Sequence, residues 1–430
     1  MNTVILTEES KKNLLESLLK RSPNHYEEYE KIVSDIIEDV RENGDKAVFS
    51  YTKKFDCFDG NVNTIKVTDA EIEHAYQNLD PDFIRIMKKA TENIRTYHQQ
   101  QIRNSWFESK EDGTILGQKV TPMSTVGVYV PGGKAVYPSS TLMCAVTAKV
   151  AGVEKIIMTT PCNADGHVNS GVLAAAKIAG VNEIYKVGGA QAIAAMAFGT
   201  KSIPKVDKIV GPGNIFVALA KKAVYGYVSI DSIAGPSEIV VLADESANPR
   251  YVAADLLSQA EHDELASAIL ITTSKELADK VKIEIDGFLK ELSRAKIIEK
   301  SLENYGYILI AKNMQEAIDT ANAIASEHLE ILTRDPYSVM TKIKNAGAIF
   351  LGEYSSEPLG DYFAGPNHVL PTNGTARFFS PLSVDDFVKK SSIISYSKEA
   401  LYKIHEDIEY FAKKEELTAH ANSIHVRFES

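Results

Sequence analysis

Cysteine is scarce in this chain: 430 residues hold three, Cys57, Cys144 and Cys162. An odd number without close pairing excludes a disulfide framework and points to a reducing compartment. No Lys/Arg block interrupts a balance of 47 basic against 58 acidic side chains, a net charge of −11. Such a surface repels phosphate backbones and argues against nucleic acid as a partner. No apolar run approaches the roughly 18 residues that span a membrane. The opening Met1–Ser10 lacks the basic and apolar segments of a signal peptide. These absences predict a soluble, cytoplasmic protein. Also missing are a G-x-G-x-x-G fingerprint, a His-Glu-x-x-His zinc helix, internal repeats and low-complexity linkers.

What is present is ordinary globular composition, 44% apolar and 24% charged, at a length for two or three domains. The first hundred residues read as mainly helical, with an amphipathic helix from Tyr26 to Asn43 and a helical period from Asp69 to Gln101. Cys57, His25, His74 and His98 lie near no other ligand-type residue there and read as ordinary surface or core positions. From Thr125 short β-rich runs (Val126–Val130, Lys155–Thr159, Glu183–Val187) alternate with helical ones (Thr141–Ala151, Gly171–Ala179). A second alternating block places strands at Ile239–Leu242, Ala268–Thr272, Tyr307–Ile310 and Leu329–Leu332. This alternation predicts βαβ units and a mostly parallel sheet. Lys398 to Ala421 returns to helix and looks like an appended tail.

Four clusters offer chemistry. Gln259 and His262 are three apart in a run that Asn248-Pro249 opens as a helix, so they share a face and could hold a cation such as zinc. Glu327 and His328 sit where a helical run hands over to a strand, and a carboxylate beside an imidazole suits acid/base work. Asp361 and His368 fall in Leu359–Thr372, whose prolines and glycines predict a rigid loop. Glu415 and His420 stand near the end, with His425 read as solvated. Each cluster alone has a plainer reading, in turn a surface pair, a helix-end pair, a self-satisfied loop and a solvated terminal helix, and for all but the loop the plainer reading is the favoured one. Two glycine turns, Val187–Ile193 and Val210–Ile215, follow β-rich runs and could offer N–H groups to an anion, or be plain βα turns.

Taken together, eight segments closely resemble the histidinol dehydrogenase family. They are Ser124–Lys134, Tyr137–Ser140, Val187–Ile193, Ile209–Asn214, Ala234–Glu238, Leu257–Asp263, Ser326–Leu329 and Gly365–Thr372. The resemblance covers about residues 25 to 425, in order. It implies an α/β fold with two Rossmann-like parallel-sheet domains, aldehyde-dehydrogenase-like, plus a helical N-terminal arm and a helical tail. The implied divisions are an arm (1–24), a discontinuous first domain (25–125 with 237–375), a second domain (126–236) and a tail (376–430). The implied reaction is oxidation of L-histidinol through histidinal to L-histidine with two NAD, the last step of histidine biosynthesis. Carried over, the zinc ligands are Gln259, His262, Asp361 and His420, and the acid/base pair is Glu327 and His328. Ser237, His368 and Glu415 hold substrate, together with the ligands and His328, and Tyr129, Gln191 and Asn214 contact NAD. The family is an intertwined homodimer whose tail completes the partner's site. Glu416, Glu264 and Ser229 depart from the family pattern, where glycine, proline and glycine are usual, and put local backbone shape in question.

Three rival mechanisms remain from the residues themselves. A thiol route would use Cys144 or Cys162 to form a thiohemiacetal. A zinc hydrolase would use Glu327 to activate water. A zinc-stabilised binding protein would bind ligand without forming NADH.

Overall fold

The computed structural model describes residues 1–19, 27–132 and 137–429. His25, the first residue of the helix expected from Tyr26, the 24/25 division and the end of the Ser124–Lys134 run lie outside the described residues. The strands are β1 (Asn2–Ile5), β2 (Trp106–Ser109), β3 (Ile115–Pro122), β4 (Thr125–Tyr129), β5 (Lys155–Thr160), β6 (Glu183–Lys186) and β7 (Lys208–Val210). They continue with β8 (Ser229–Ile230), β9 (Glu238–Ala243), β10 (Ser267–Thr272), β11 (Gly306–Ile310), β12 (His328–Leu332), β13 (Ala348–Leu351) and β14 (Val388–Ser395). The chain divides into two compact units, Met1–Gln101 with Met123–Phe387 and Ile102–Pro122 with Val388–Ser430.

The first unit contains two parallel sheets. One runs β6-β5-β4-β7-β8 and the other β1-β11-β10-β9-β12-β13. Leaving out the edge strand β1, each has its first strand in the middle and the chain winding outward to both sides, the doubly wound arrangement of Rossmann-type sheets. Strands β9, β10 and β12 are buried at every position, as near-continuous apolar strands covered on both faces must be. Asn2–Ile5 pairs in parallel with β11, and Leu6, Leu14 and Leu18 are buried beside it. The first residues therefore contribute a sheet edge as well as the expected helix (Glu8–Leu19).

Local sequence explains the helix boundaries. The period from Asp69 to Gln101 is two helices, because Asp80 caps a new helix and Pro81 opens it. Thr68 and Glu71 form a capping box at the first of them. His98 is fully buried and donates from Nδ1 to the Ile94 carbonyl at 2.8 Å.

The second unit holds the antiparallel sheet β14-β3-β2 and the helices Lys398–Tyr402, His405–Lys414 and Thr418–His425. Its strands have a weak sequence signal: Val388–Ser395 reads VKKSSIIS and none of its residues is buried. The helix His405–Lys414 ends at Glu415, and the next residue, Glu416, takes φ 60. This is left-handed backbone, which glycine adopts freely and glutamate only at a cost. Among the described residues no helix is long and apolar enough to cross a membrane.

Candidate active site

The carboxyl ends of β4, β7 and β8 and the amino ends of β9 and β12 face a common cavity of 830 Å³. Pro131, Gly132 and the turn Gly211–Asn214 line it from the first sheet. Ser237, Glu327 and His328 line it from the second, with Gln259, His262, Asp361 and His368. In the first sheet, ligand space at the carboxyl ends between β4 and β7 is the usual switch-point position. In the second, the functional groups sit at amino ends.

Glu327 and His328 are delivered by a sharp reversal. The helix Met314–Ile324 stops at Ala325 with φ 53, and β12 begins three residues later. One residue then holds both side chains. The N–H of Glu238 donates to Glu327 Oε2 at 2.9 Å, and its carbonyl accepts from His328 Nδ1 at 3.0 Å. A carbonyl cannot donate, so His328 carries its proton on Nδ1 and Nε2 keeps a lone pair. Burial holds the His328 ring neutral, pushing its pKa down to about 3. Burial likewise raises the Glu327 carboxyl well above its ordinary range, against the Glu238 N–H.

His368 has the same tautomer. Its Nδ1 donates to the Asp361 carbonyl at 3.0 Å, and its Nε2 lies 3.1 Å from Ser140 Oγ. Burial lowers its pKa to about 4.

Asp361 is helical, unlike the loop expected across Leu359–Thr372. The short helix Glu357–Tyr362 starts behind Ser356 with Pro358 in its first turn, a place where proline is tolerated. Its Glu357, four residues before Asp361, was not among the expected site residues. The spacing was readable, since two acidic groups four apart share a helix face. The expectation of a loop hid it. Donor atoms of His262, Glu357 and Asp361 all lie within 4.8 Å of one another. Gln259, 1% exposed, has its Oε1 buried with no hydrogen-bond partner. One imidazole, two carboxylates and an orphaned amide oxygen suit a borderline dication such as zinc.

The nucleotide-type residues are arranged around the two glycine turns. Tyr129 is fully buried, and its hydroxyl accepts the Gly189 N–H at 3.0 Å. A Cβ on Gly211, at φ +115, would come within 2.1 Å of the Tyr129 carbonyl oxygen. Gln191 is buried with both side-chain polar atoms unpartnered. Asn214 lines the cavity and caps the helix Ile215–Val224. Tyr129 and Gln191 do not line it. The turn is clasped from behind: Lys221 Nζ donates to the Gly211 carbonyl at 3.0 Å and pairs with Asp231. Asp231 in turn accepts the Gly211 N–H at 2.7 Å.

Glu415 and His420 belong to the second unit, both exposed, with His420 on the helix Thr418–His425. Glu264 pairs with Lys300 at 2.9 Å, and Ser229 opens β8. Neither thiol of the rival mechanism is activated. Burial pushes Cys162 up to about 11 and Cys144 further, whereas a nucleophilic cysteine needs a depressed value.

A model of the family described as histidinol dehydrogenase matches residues 19–428. The histidinol dehydrogenase of Caldanaerobacter subterraneus subsp. tengcongensis is 57% identical over 422 residues, 98% of each chain. That of Bacillus subtilis is 58% identical over 401 residues, 93% of each. The crystal structure of histidinol dehydrogenase from Elizabethkingia anophelis superposes with a TM-score of 0.92 at 37% identity, covering 99% of this chain and 98% of that one. The "probable aldehyde dehydrogenase" of Listeria monocytogenes EGD-e, at 12% identity and a TM-score of 0.50 over 90% of this chain and 97% of its own, shares the fold alone. The chain belongs to the histidinol dehydrogenase family.

Proposed function

We propose that this protein is an NAD-dependent dehydrogenase that oxidises L-histidinol through L-histidinal to L-histidine, with two NAD and one zinc per subunit, as the last step of histidine biosynthesis. The observation that carries the reading is the Glu238 clamp, which presents a neutral imidazole and a protonatable carboxyl to the cavity beside a dication-type donor set.

In this reading Gln259, His262 and Asp361 hold zinc, with His420 from the partner's tail. An ion held there would supply a centre without redox chemistry on which the substrate's nitrogen donors could be oriented. NAD, when bound, would supply the acceptor for both hydrides. His328 Nε2 takes the hydroxyl proton as the first hydride leaves, giving the aldehyde. Glu327 then takes a proton from the water that adds to the aldehyde, while His328 gives its proton to the carbonyl oxygen; the ring, neutral again, takes a hydroxyl proton from the hydrate as the second hydride leaves. Ser237, His368 and the partner's Glu415 hold the substrate, while Tyr129, Gln191 and Asn214 hold NAD. Residues 126–236 form the nucleotide half, 25–125 with 237–375 the metal and acid/base half, and 376–430 the tail exchanged in a homodimer, with 1–24 as an arm.

Absorbance at 340 nm with L-histidinol and NAD tests the proposal. Two NADH per histidinol, abolished by a chelator and restored by zinc, are expected. No NADH from folded, zinc-loaded protein would replace it with the hydrolase or binding reading.

A further inference from the structure

Arg294 is the charge the mechanism leaves without a task. It stands just before the helix Ala295–Tyr305 and lines the common cavity, in whose wall no other lysine or arginine stands among the described residues. Its Nε is buried without a hydrogen-bond partner, and among the described residues its guanidinium makes no ion pair. The acidic groups of the wall do not answer it. Asp231 is matched by Lys221 and Glu264 by Lys300, while Asp361 belongs to the metal reading. Asp263 accepts the Leu265 N–H on Oδ1 at 2.9 Å. Burial raises the Tyr137 hydroxyl and the Arg294 charge opposes that shift, which puts the guanidinium within electrostatic reach of Tyr137. Tyr137 precedes the helix Pro138–Val150, whose first turn lines the same cavity without a side-chain cap and adds the positive end of a helix dipole. A guanidinium with a buried, unfilled donor costs free energy until an anion completes it. L-Histidinol brings an ammonium and an imidazole, which an arginine does not attract. The dinucleotide brings a pyrophosphate, and the planar guanidinium fork matches phosphate oxygens in pairs.

We infer that Arg294 binds the pyrophosphate of the dinucleotide. The inference rests on the NAD part of the proposed function and extends it: the cofactor is gripped from both halves of the cavity, and its affinity depends on a charge that the half carrying the glycine turns does not supply.

The test uses full-length, zinc-loaded protein and ADP-ribose, which carries the pyrophosphate without the nicotinamide, with affinity measured by calorimetry. Arg294→Gln and Arg294→Ala should each weaken ADP-ribose binding about 10–100-fold, the range for losing hydrogen bonds to a charged group. KM for NAD should rise by a similar factor, with little change in kcat or in KM for L-histidinol. Arg294→Lys, which keeps the charge without the fork, should recover part of the loss. Added salt should weaken ADP-ribose binding to the unsubstituted protein and much less to Arg294→Gln. Thermal unfolding checks that the variants fold. Unchanged ADP-ribose affinity and NAD KM in both neutral variants overturn the inference. So does an equal rise in both KM values with a lowered unfolding midpoint, the mark of a structural arginine. Weaker inhibition by L-histidine with NAD KM unchanged also overturns it, and would assign the arginine to the product's carboxylate. If the unsubstituted protein forms NADH without binding ADP-ribose, the inference fails alone; if it forms none, the NAD reading itself fails.

Discussion

Raising the pH should loosen the metal-free protein, and zinc should restore it. Burial and the neighbouring Asp361 push Glu357 up to about 8, and burial pushes Asp361 to about 6. A carboxyl whose pKa is raised on folding stabilises fully below its unfolded value, and that contribution is lost as pH climbs through the folded value. The buried histidines run the other way. With His328 at about 3 and His368 at about 4, against 6.5 unfolded, they cost stability only as pH falls below 6.5. The interval from pH 6.5 to 8 therefore isolates the carboxyls. At about 1.4 kcal/mol per pH unit for each proton held, Glu357 alone accounts for about 2 kcal/mol over that interval. In a chain of this size that lowers the unfolding midpoint by a few degrees. A bound dication takes the place of the protons, so saturating zinc should stabilise more at pH 8 than at pH 6.5. Thermal unfolding with chelator or with zinc at the two pH values gives the answer. Equal chelated midpoints, or equal stabilisation by zinc at both, would refute the reasoning.

Replacing His328 by Ala should leave zinc content intact and slow the first oxidation about 10²–10⁴-fold, the range for a missing general base; a wild-type rate removes it from that role. Cys144→Ala and Cys162→Ala should retain turnover, and a large loss in either would revive the thiol route. Glu416→Gly should raise stability by about 1 kcal/mol by relieving the left-handed strain at φ 60, read as a higher unfolding midpoint; a lower one would show that the glutamate side chain outweighs the strain. Mixing His328→Ala with His420→Ala subunits should restore partial activity in heterodimers, and no recovery would place the whole site within one chain.

The alternation of β-rich and Ala-rich runs from Thr125 was enough to anticipate parallel sheets, because strands covered on both faces must be apolar throughout. The shared strand order of the two sheets was not readable. It is a property of connections and leaves no repeat in the residues. The strands of the second unit were missed because half-exposed antiparallel strands carry lysine and serine where a core would demand hydrophobes. Glu357 was missed for a local reason, since Pro358 and the glycines beyond it masked a single helical turn. The Glu238 clamp was missed for a non-local one: its two bonds come from main-chain groups, which every residue possesses.

By itself the sequence determined the composition of the chemistry: an imidazole–carboxylate pair, an amide–imidazole pair three apart, and glycine turns after strands; the helix expected under the second pair ends at Ala260, so that His262 stands in the turn beyond it. It also determined the family, through long motifs in order. Only the tertiary structure decided which proton His328 carries, because the carbonyl that binds Nδ1 lies 90 residues away in sequence. It likewise decided that Glu357 stands with His262 and Asp361. Burial and long-range register create both facts, and neither is encoded in any short stretch of the chain.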